Sequence, residues 1–231
     1  MTGLRELQRR RVHEALSTAA ITLFLERGFE EVSVAEVAAA AGVSKPTLFK
    51  YFPAKEDLVL HRIADHLGES ARVVRARAAG ETPPAALRRH FLDGLARHDP
   101  VTGLNDDPEV VAYHRMVFAG APSLLARLHQ HMARDEESLG EALAETADEL
   151  TARLLAAQAV ATQRVLARRN WQALADGRPM DEVELEAVRA AEHGFAMLTG
   201  SWRRPSRPDV APGFTQPPAF TPGRYRGDGR V

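Results

Sequence analysis

Lysine occurs at three positions only, Lys45, Lys50 and Lys55, and every other basic position is arginine. All three fall in the stretch Gly42 Val43 Ser44 Lys45 Pro46 Thr47 Leu48 Phe49 Lys50 Tyr51 Phe52 Pro53 Ala54 Lys55, and no Asp or Glu lies between Glu36 and Glu56. The chain as a whole has a formal net charge of −1. A locally cationic segment in a nearly neutral protein implies one small surface suited to a polyanion.

Other chemistry finds less support. With no cysteine there is no disulfide, thiolate metal site or cysteine nucleophile, which suits a reducing cytoplasm. The nine histidines are poorly spaced for a metal: His129 and His131 are two apart and point to different faces of a helix, and His61 and His66 have no second ligand nearby. No Ser, His and Asp set with elbow glycines and no phosphate-cradling glycine loop is present. Asp106 with Asp107, and Glu136 with Glu137, read as helix-end and surface charges. Neither a cofactor nor a metal is expected. An all-helical enzyme and a nonspecific nucleic-acid-binding protein remain the alternatives to a specific DNA reader.

The elements that position the lysines follow from helix signals. At 231 residues, 45% apolar and rich in Ala, Leu, Arg and Glu, the chain favours an all-α fold. A first helix over 5–27 carries Val12, Leu16, Ala19, Ala20, Leu23 and Phe24 on one stripe and stops at Gly28. Ser33 with Glu36 forms a capping box that opens a short helix ending at Gly42. Ser44 caps a third helix, with Pro46 in its first turn and Pro53 beyond its end. A longer fourth helix is expected over 54–79, where Leu58, Ile63, Leu67 and Val74 keep an approximate helical spacing. Further helices are expected over 84–98, Pro108–Ala119, 122–145, a stretch opened by a second capping box at Thr146 and Glu149 and running to 175, and 180–199. No apolar run approaches the ~20 residues that span a bilayer, so no membrane partner is expected. The basic Arg9 Arg10 Arg11 before an apolar run is not expected to be a signal peptide, because Glu14 and Glu26 bracket that run.

Two short helices around Gly42 form a helix-turn-helix, whose second helix enters the major groove. Phe29, Ser33, Val37 Ala38, Ala41 Gly42 Val43 Ser44, Thr47 Leu48 Phe49, Tyr51 Phe52 Pro53 and Lys55 Glu56 Asp57 Leu58 together resemble the DNA-binding domain of TetR-family transcriptional regulators. The resemblance covers roughly the first 60 residues; the remainder matches only in helical pattern. It implies that Lys45, Pro46, Thr47 and Lys50 touch base edges or nearby backbone, that Ser44 opens this helix at the DNA, and that Tyr51 and Lys55 clamp phosphates. The chemistry is compatible, since Lys donates to guanine and the Thr methyl meets a thymine methyl. Phe52 is expected in the core. Val34 and Ala35 stand where many relatives carry Arg or Thr facing DNA, so reading should rest on the third helix. Arg5, Arg9, Arg10 and Arg11 are either extra DNA contacts or a solvated helix end.

The resemblance further implies an N-terminal three-helix domain (1–53), a connecting helix (54–79) and a larger helical ligand-binding and dimerisation domain (80–200). The partners it implies are a double-stranded DNA operator, a small-molecule effector and a second copy of the chain, in a cytoplasmic repressor released by its effector. Polar or soft groups on apolar helical stripes are the pocket candidates: His90, Tyr113, Met116, Phe118, Met132, Gln158 and Thr162. Trp171 either covers that pocket or caps the bundle. Ala159 and Leu166 on a broad apolar face, and Ala190, Ala191, Gly194, Phe195 and Leu198 on a small-residue face, are the dimer candidates. Residues 201–231, rich in Pro and Arg, read as an extended or disordered tail, or as an arm that docks on a partner subunit through Trp202, Phe214 or Phe220 or adds charge near DNA.

Overall fold

The computed structural model describes residues 2–201. The tail with Trp202, Phe214 and Phe220, and the side chain of Arg5, lie outside the described residues. Among those residues every regular element is helical: α1 (Thr2–Arg27), α2 (Val34–Ala40), α3 (Lys45–Tyr51), α4 (Asp57–Ala64), α5 (Glu69–Arg75), α6 (Pro83–Ala96), a 3-10 turn (Pro100–Thr102), α7 (Pro108–Ala119), α8 (Pro122–Ala144), α9 (Glu149–Ala175) and α10 (Met180–Ser201). No helix there is long and apolar enough to cross a membrane.

The ends of α2 and α3 form as local chemistry dictates. Ser33 accepts from the Glu36 amide while the Glu36 carboxylate takes the Ser33 amide at 2.8 Å, a complete capping box. Ser44 likewise accepts from the Thr47 amide, and Pro46 sits in the first turn of α3. Gly42 makes the turn between them with φ +68°.

Two differences from the sequence reading concern helix continuity and capping. The single helix expected over 54–79 is two helices, broken around Gly68. That glycine is left-handed at φ +71°, and its amide donates to the Asp135 carboxylate on α8 at 2.8 Å. A glycine alone only weakens a helix; a long-range acceptor for its amide makes the break stable. The cap of α9 is Asp148, which accepts from the Thr151 amide at 3.0 Å, and Thr146 instead donates back to the Leu143 carbonyl.

The apolar stripes converge on two cores. The first joins α1 to α4 with Tyr113 and Val117 of α7 and Leu124 and Leu128 of α8. The second is built by α5, α6, α9, α10 and the other half of α8 through Leu139, Ala142 and Leu143. The first core thus extends beyond residue 53, taking in buried residues of α4, α7 and half of α8. Along α8, one continuous helix reports on both cores.

The residues expected on a dimer face are consumed inside one subunit. Ala159, Leu166, Ala191, Phe195 and Leu198 are buried in the second core, and Ala190 packs against it. A Cβ on Gly194 would meet Thr162 and Leu166, so the small-residue face of α10 seats on its own α9. Small residues permit close helix approach, and the nearest apolar helix belongs to the same chain. A different stripe stays exposed on α9: Leu150 (67% exposed), Leu154 (54%) and Val165 (57%), with Gln158 and Ala161 between them at helical spacing.

Candidate functional site

Two features stand out, a cationic helix surface and an internal cavity. On α3, Leu48 is fully buried while Lys45, Pro46, Phe49 and Lys50 are exposed, so the short helix presents one polar and cationic face. Thr47 is half-buried, and its hydroxyl shares a 2.8 Å hydrogen bond with that of Ser44. Phe52 is in the core, stacked 4.5 Å from His13. Tyr51 is half-buried beside the same histidine. Lys55 does not extend freely: its ammonium lies 4.4 Å from the Phe29 ring centre and 5.6 Å from that of Phe24. On α2, Ala35 is exposed and Val34 packs against the core. Arg9, Arg10 and Arg11 are exposed, and Arg10 pairs with Glu6.

Polar as well as apolar contacts hold α2 to α1 and α1 to α4. Arg27 donates to Glu36 at 2.7 Å. The Ser33 amide, the Ser33 hydroxyl and Arg27 together bring the Glu36 carboxyl down to about 2. Ser17 of α1 bonds His61 Nε2 of α4 at 2.7 Å, and His61 Nδ1 faces the Leu58 carbonyl at 3.1 Å. Burial and the neighbouring His13 lower the His61 pKa.

The cavity, about 320 Å³, lies where the two cores meet. Its wall takes residues from α4 to α9, including the Gly68 break, and it is of the size that holds small ligands. Of the expected pocket residues, His90, Tyr113, Phe118 and Met132 line it. Met116, Gln158 and Thr162 do not: Met116 packs against the first core, Gln158 is exposed on the outer stripe of α9, and Thr162 contacts Gly194. Helical spacing marks an apolar face but not whether that face meets a cavity, a core or solvent.

Several cavity groups were not among the candidates. His114 and His131 are each 7% exposed, and Asp135 also faces the space; Trp171, expected either to cover the pocket or to cap the bundle, lines it as well. Burial takes the His114 pKa down to about 4. Burial also lowers His131, helped by the charge of Arg127. Burial raises Asp135 against the pull of the Gly68 amide. Glu69 joins His66 (2.7 Å) and His90 (3.1 Å). Burial opposes the Glu69 charge, yet those two histidines outweigh it and keep its pKa below the ordinary value. The sequence signal for these groups was available, since His114 and Trp171 sit on apolar stripes, but nothing local aimed them inward.

A salt bridge connects the cavity wall to the start of α4. Asp57 Oδ1 and Oδ2 accept from Arg127 Nε and Nη2 at 2.8 and 2.9 Å, and Oδ2 also takes the Ala54 amide at 3.1 Å. His131 Nε2 stands 3.8 Å from Asp57 Oδ1. No group of His, Asp or Glu able to hold a metal forms among the described residues.

Comparison with known proteins adds to this geometry. Residues 16–61 match the profile described as "Bacterial regulatory proteins, tetR family". The chain is 29% identical over 213 residues to the HTH-type transcriptional regulator TcmR of Streptomyces glaucescens, covering 88% of this chain and 91% of that one. It is 28% identical over 120 residues to MftR of Mycobacterium tuberculosis, a putative mycofactocin biosynthesis transcriptional regulator; that match spans 48% of this chain and 61% of MftR. Among solved structures, a TetR-family regulator from Streptomyces coelicolor superposes with a TM-score of 0.55 at 23% identity, over 82% of this chain and 96% of the other. NalD, the secondary repressor of the MexAB-OprM multidrug efflux pump in Pseudomonas aeruginosa, gives 0.55 at 16% identity over 80% and 97%. At these identities the structures show a shared fold.

Proposed function

We propose, from the premise that the chain belongs to the TetR family of DNA-binding transcriptional regulators, that it is a homodimeric repressor released from a palindromic operator when a small molecule fills the cavity. Membership makes it a regulator that binds DNA and not an enzyme. As a reader of bacterial DNA it would work in the cytoplasm. The DNA-reading face would be Ser44, Lys45, Pro46, Thr47 and Lys50 of α3, with Tyr51 and Lys55 on phosphates. The exposed stripe of α9, Leu150, Leu154 and Val165, would pair with its symmetry mate and place two α3 helices about one turn of DNA apart.

One observation carries this reading: the cavity lies between the cores, and the Asp57–Arg127 bridge joins its α8 wall to the start of α4, directly after the recognition helix. An effector that fits the cavity better when α4 is displaced would favour the state unable to match two adjacent grooves. The coupling is reciprocal, so operator DNA must weaken effector binding by the same factor. Selection of bound sequences from a random DNA pool, followed by a small-molecule screen for release, tests it. A two-fold symmetric site and compounds that release it are expected. No sequence enrichment, or a strictly monomeric protein in sedimentation, would contradict it.

A further inference from the structure

Two histidine side chains on the cavity wall are buried without partners. His114 Nδ1 and both ring nitrogens of His131 have no hydrogen-bond partner, although each residue is more than nine-tenths buried. Buried polar atoms are nearly always satisfied, because an orphan loses its hydration with nothing in return. The other polar aromatics of the wall are already committed. Tyr113 donates its hydroxyl to the Val59 carbonyl at 2.9 Å, and Trp171 donates Nε1 to the Val111 carbonyl at 3.2 Å. His114 is thus a hydrogen-bonding edge left over on the aromatic side of the cavity, and His131 another on its α8 wall.

Their surroundings restrict what they can take. His114 lies between the rings of Tyr113 (5.8 Å), Phe118 (5.8 Å) and Trp171 (6.3 Å), and Phe118 and Trp171 are 5.6 Å apart. Such a wall suits a flat ring system. Burial disfavours the cationic form of both histidines. A neutral imidazole offers one donor and one acceptor, which together match a hydroxyl, and its N–H alone matches a carbonyl. Among the other groups lining the cavity, His66 and His90 pair with Glu69, and Asp135 accepts from the Gly68 amide.

We propose that His114 and His131 are polar recognition groups of the cavity, and that they bind hydroxyl or carbonyl groups of a flat aromatic effector lying on Phe118 and Trp171. This rests on the reading of the cavity as the effector site. Through its 3.8 Å approach to Asp57, His131 also connects that recognition to the bridge that holds α4.

The test uses 2-naphthol and naphthalene as probes, which differ by the hydroxyl alone. The full chain carries Trp202→Phe, so that quenching of fluorescence reports on Trp171, the other of the two tryptophans. The expected result is that 2-naphthol binds about ten-fold more tightly than naphthalene, the worth of one well-made buried hydrogen bond. In His114→Leu and His131→Leu combined, this preference should fall to within about three-fold while naphthalene still binds, which shows that the cavity survives. Equal affinity for both probes in the parent chain overturns the proposal and leaves the effector-site reading standing. A preference that persists in the double variant overturns it as well. Quenching by neither probe overturns both the proposal and the reading of the cavity as a ligand site.

Discussion

Replacing Asp57 by alanine should loosen the joint between the cavity and the DNA-reading unit. The Asp57 side chain is 12% exposed and that of Arg127 27%, so the pair is neither a solvent-screened surface bridge nor a fully buried one. Removing the carboxylate deletes two charge-assisted bonds to Arg127 and the acceptor for the Ala54 amide. A fully buried partner left unpaired would cost about 3–5 kcal/mol, and an exposed pair under about 1. Because Arg127 can reach water, and also donates to Gln130 at 2.9 Å, about 2 kcal/mol is expected. For a chain of this size that is a fall in Tm of about 4–8 °C. A double-mutant cycle with Arg127→Met should return a coupling energy of about 1–2 kcal/mol, measured by urea unfolding. DNA affinity should fall for all sequences alike, because the start of α4 positions the end of α3 without reading bases. A coupling within about 0.3 kcal/mol of zero, at the error of such cycles, would refute the claim that this bridge ties α8 to α4.

The other predictions concern titration, DNA and assembly. His114 has a folded pKa of about 4 against an ordinary 6.5, so the unfolded chain binds its proton first as pH falls. Its contribution is therefore fully present above pH 6.5 and lost towards pH 4, about 3 kcal/mol in all; His114→Phe should remove that part of the pH dependence, and identical stability curves from pH 7 to 4 would exclude it. Lys55→Ala should weaken binding to operator and random DNA equally and reduce the salt slope by about one unit. It should also cost about 0.5–1 kcal/mol of stability through the lost contact with Phe29. Thr47→Ala and Lys50→Ala should instead change operator preference by about 1–3 kcal/mol per base contact, and equal losses on all DNA would remove them from the reading set. Leu154→Arg, on the exposed stripe of α9, should give monomers in sedimentation with helix content unchanged in circular dichroism; an unaltered dimer would place the interface elsewhere.

Local chemistry was legible at particular places. The capping box at Ser33 and Glu36 and the Ser44 cap with Pro46 and Pro53 define α2 and α3 because each signal acts within one helical turn, and the helix expected over Pro108–Ala119 is α7. The same rule misplaced the start of α9, where Thr146 and Asp148 both offer an oxygen and adjacent sequence does not say which will turn towards the helix. The apolar stripes of α9 and α10 are spent within the chain, α10 packing on α9 and α9 also on α8.

What the residues alone determined, then, is the all-helical chain, the helix-turn-helix and its cationic face, since these depend on contacts a few residues apart. Tertiary structure decided the rest. The Gly68 break needs Asp135, the bridge needs Asp57 and Arg127 seventy residues apart, and the cavity exists only where two cores share α8. A hydrogen bond or a void between distant segments has no local signature, because its energy appears only once the chain has already folded.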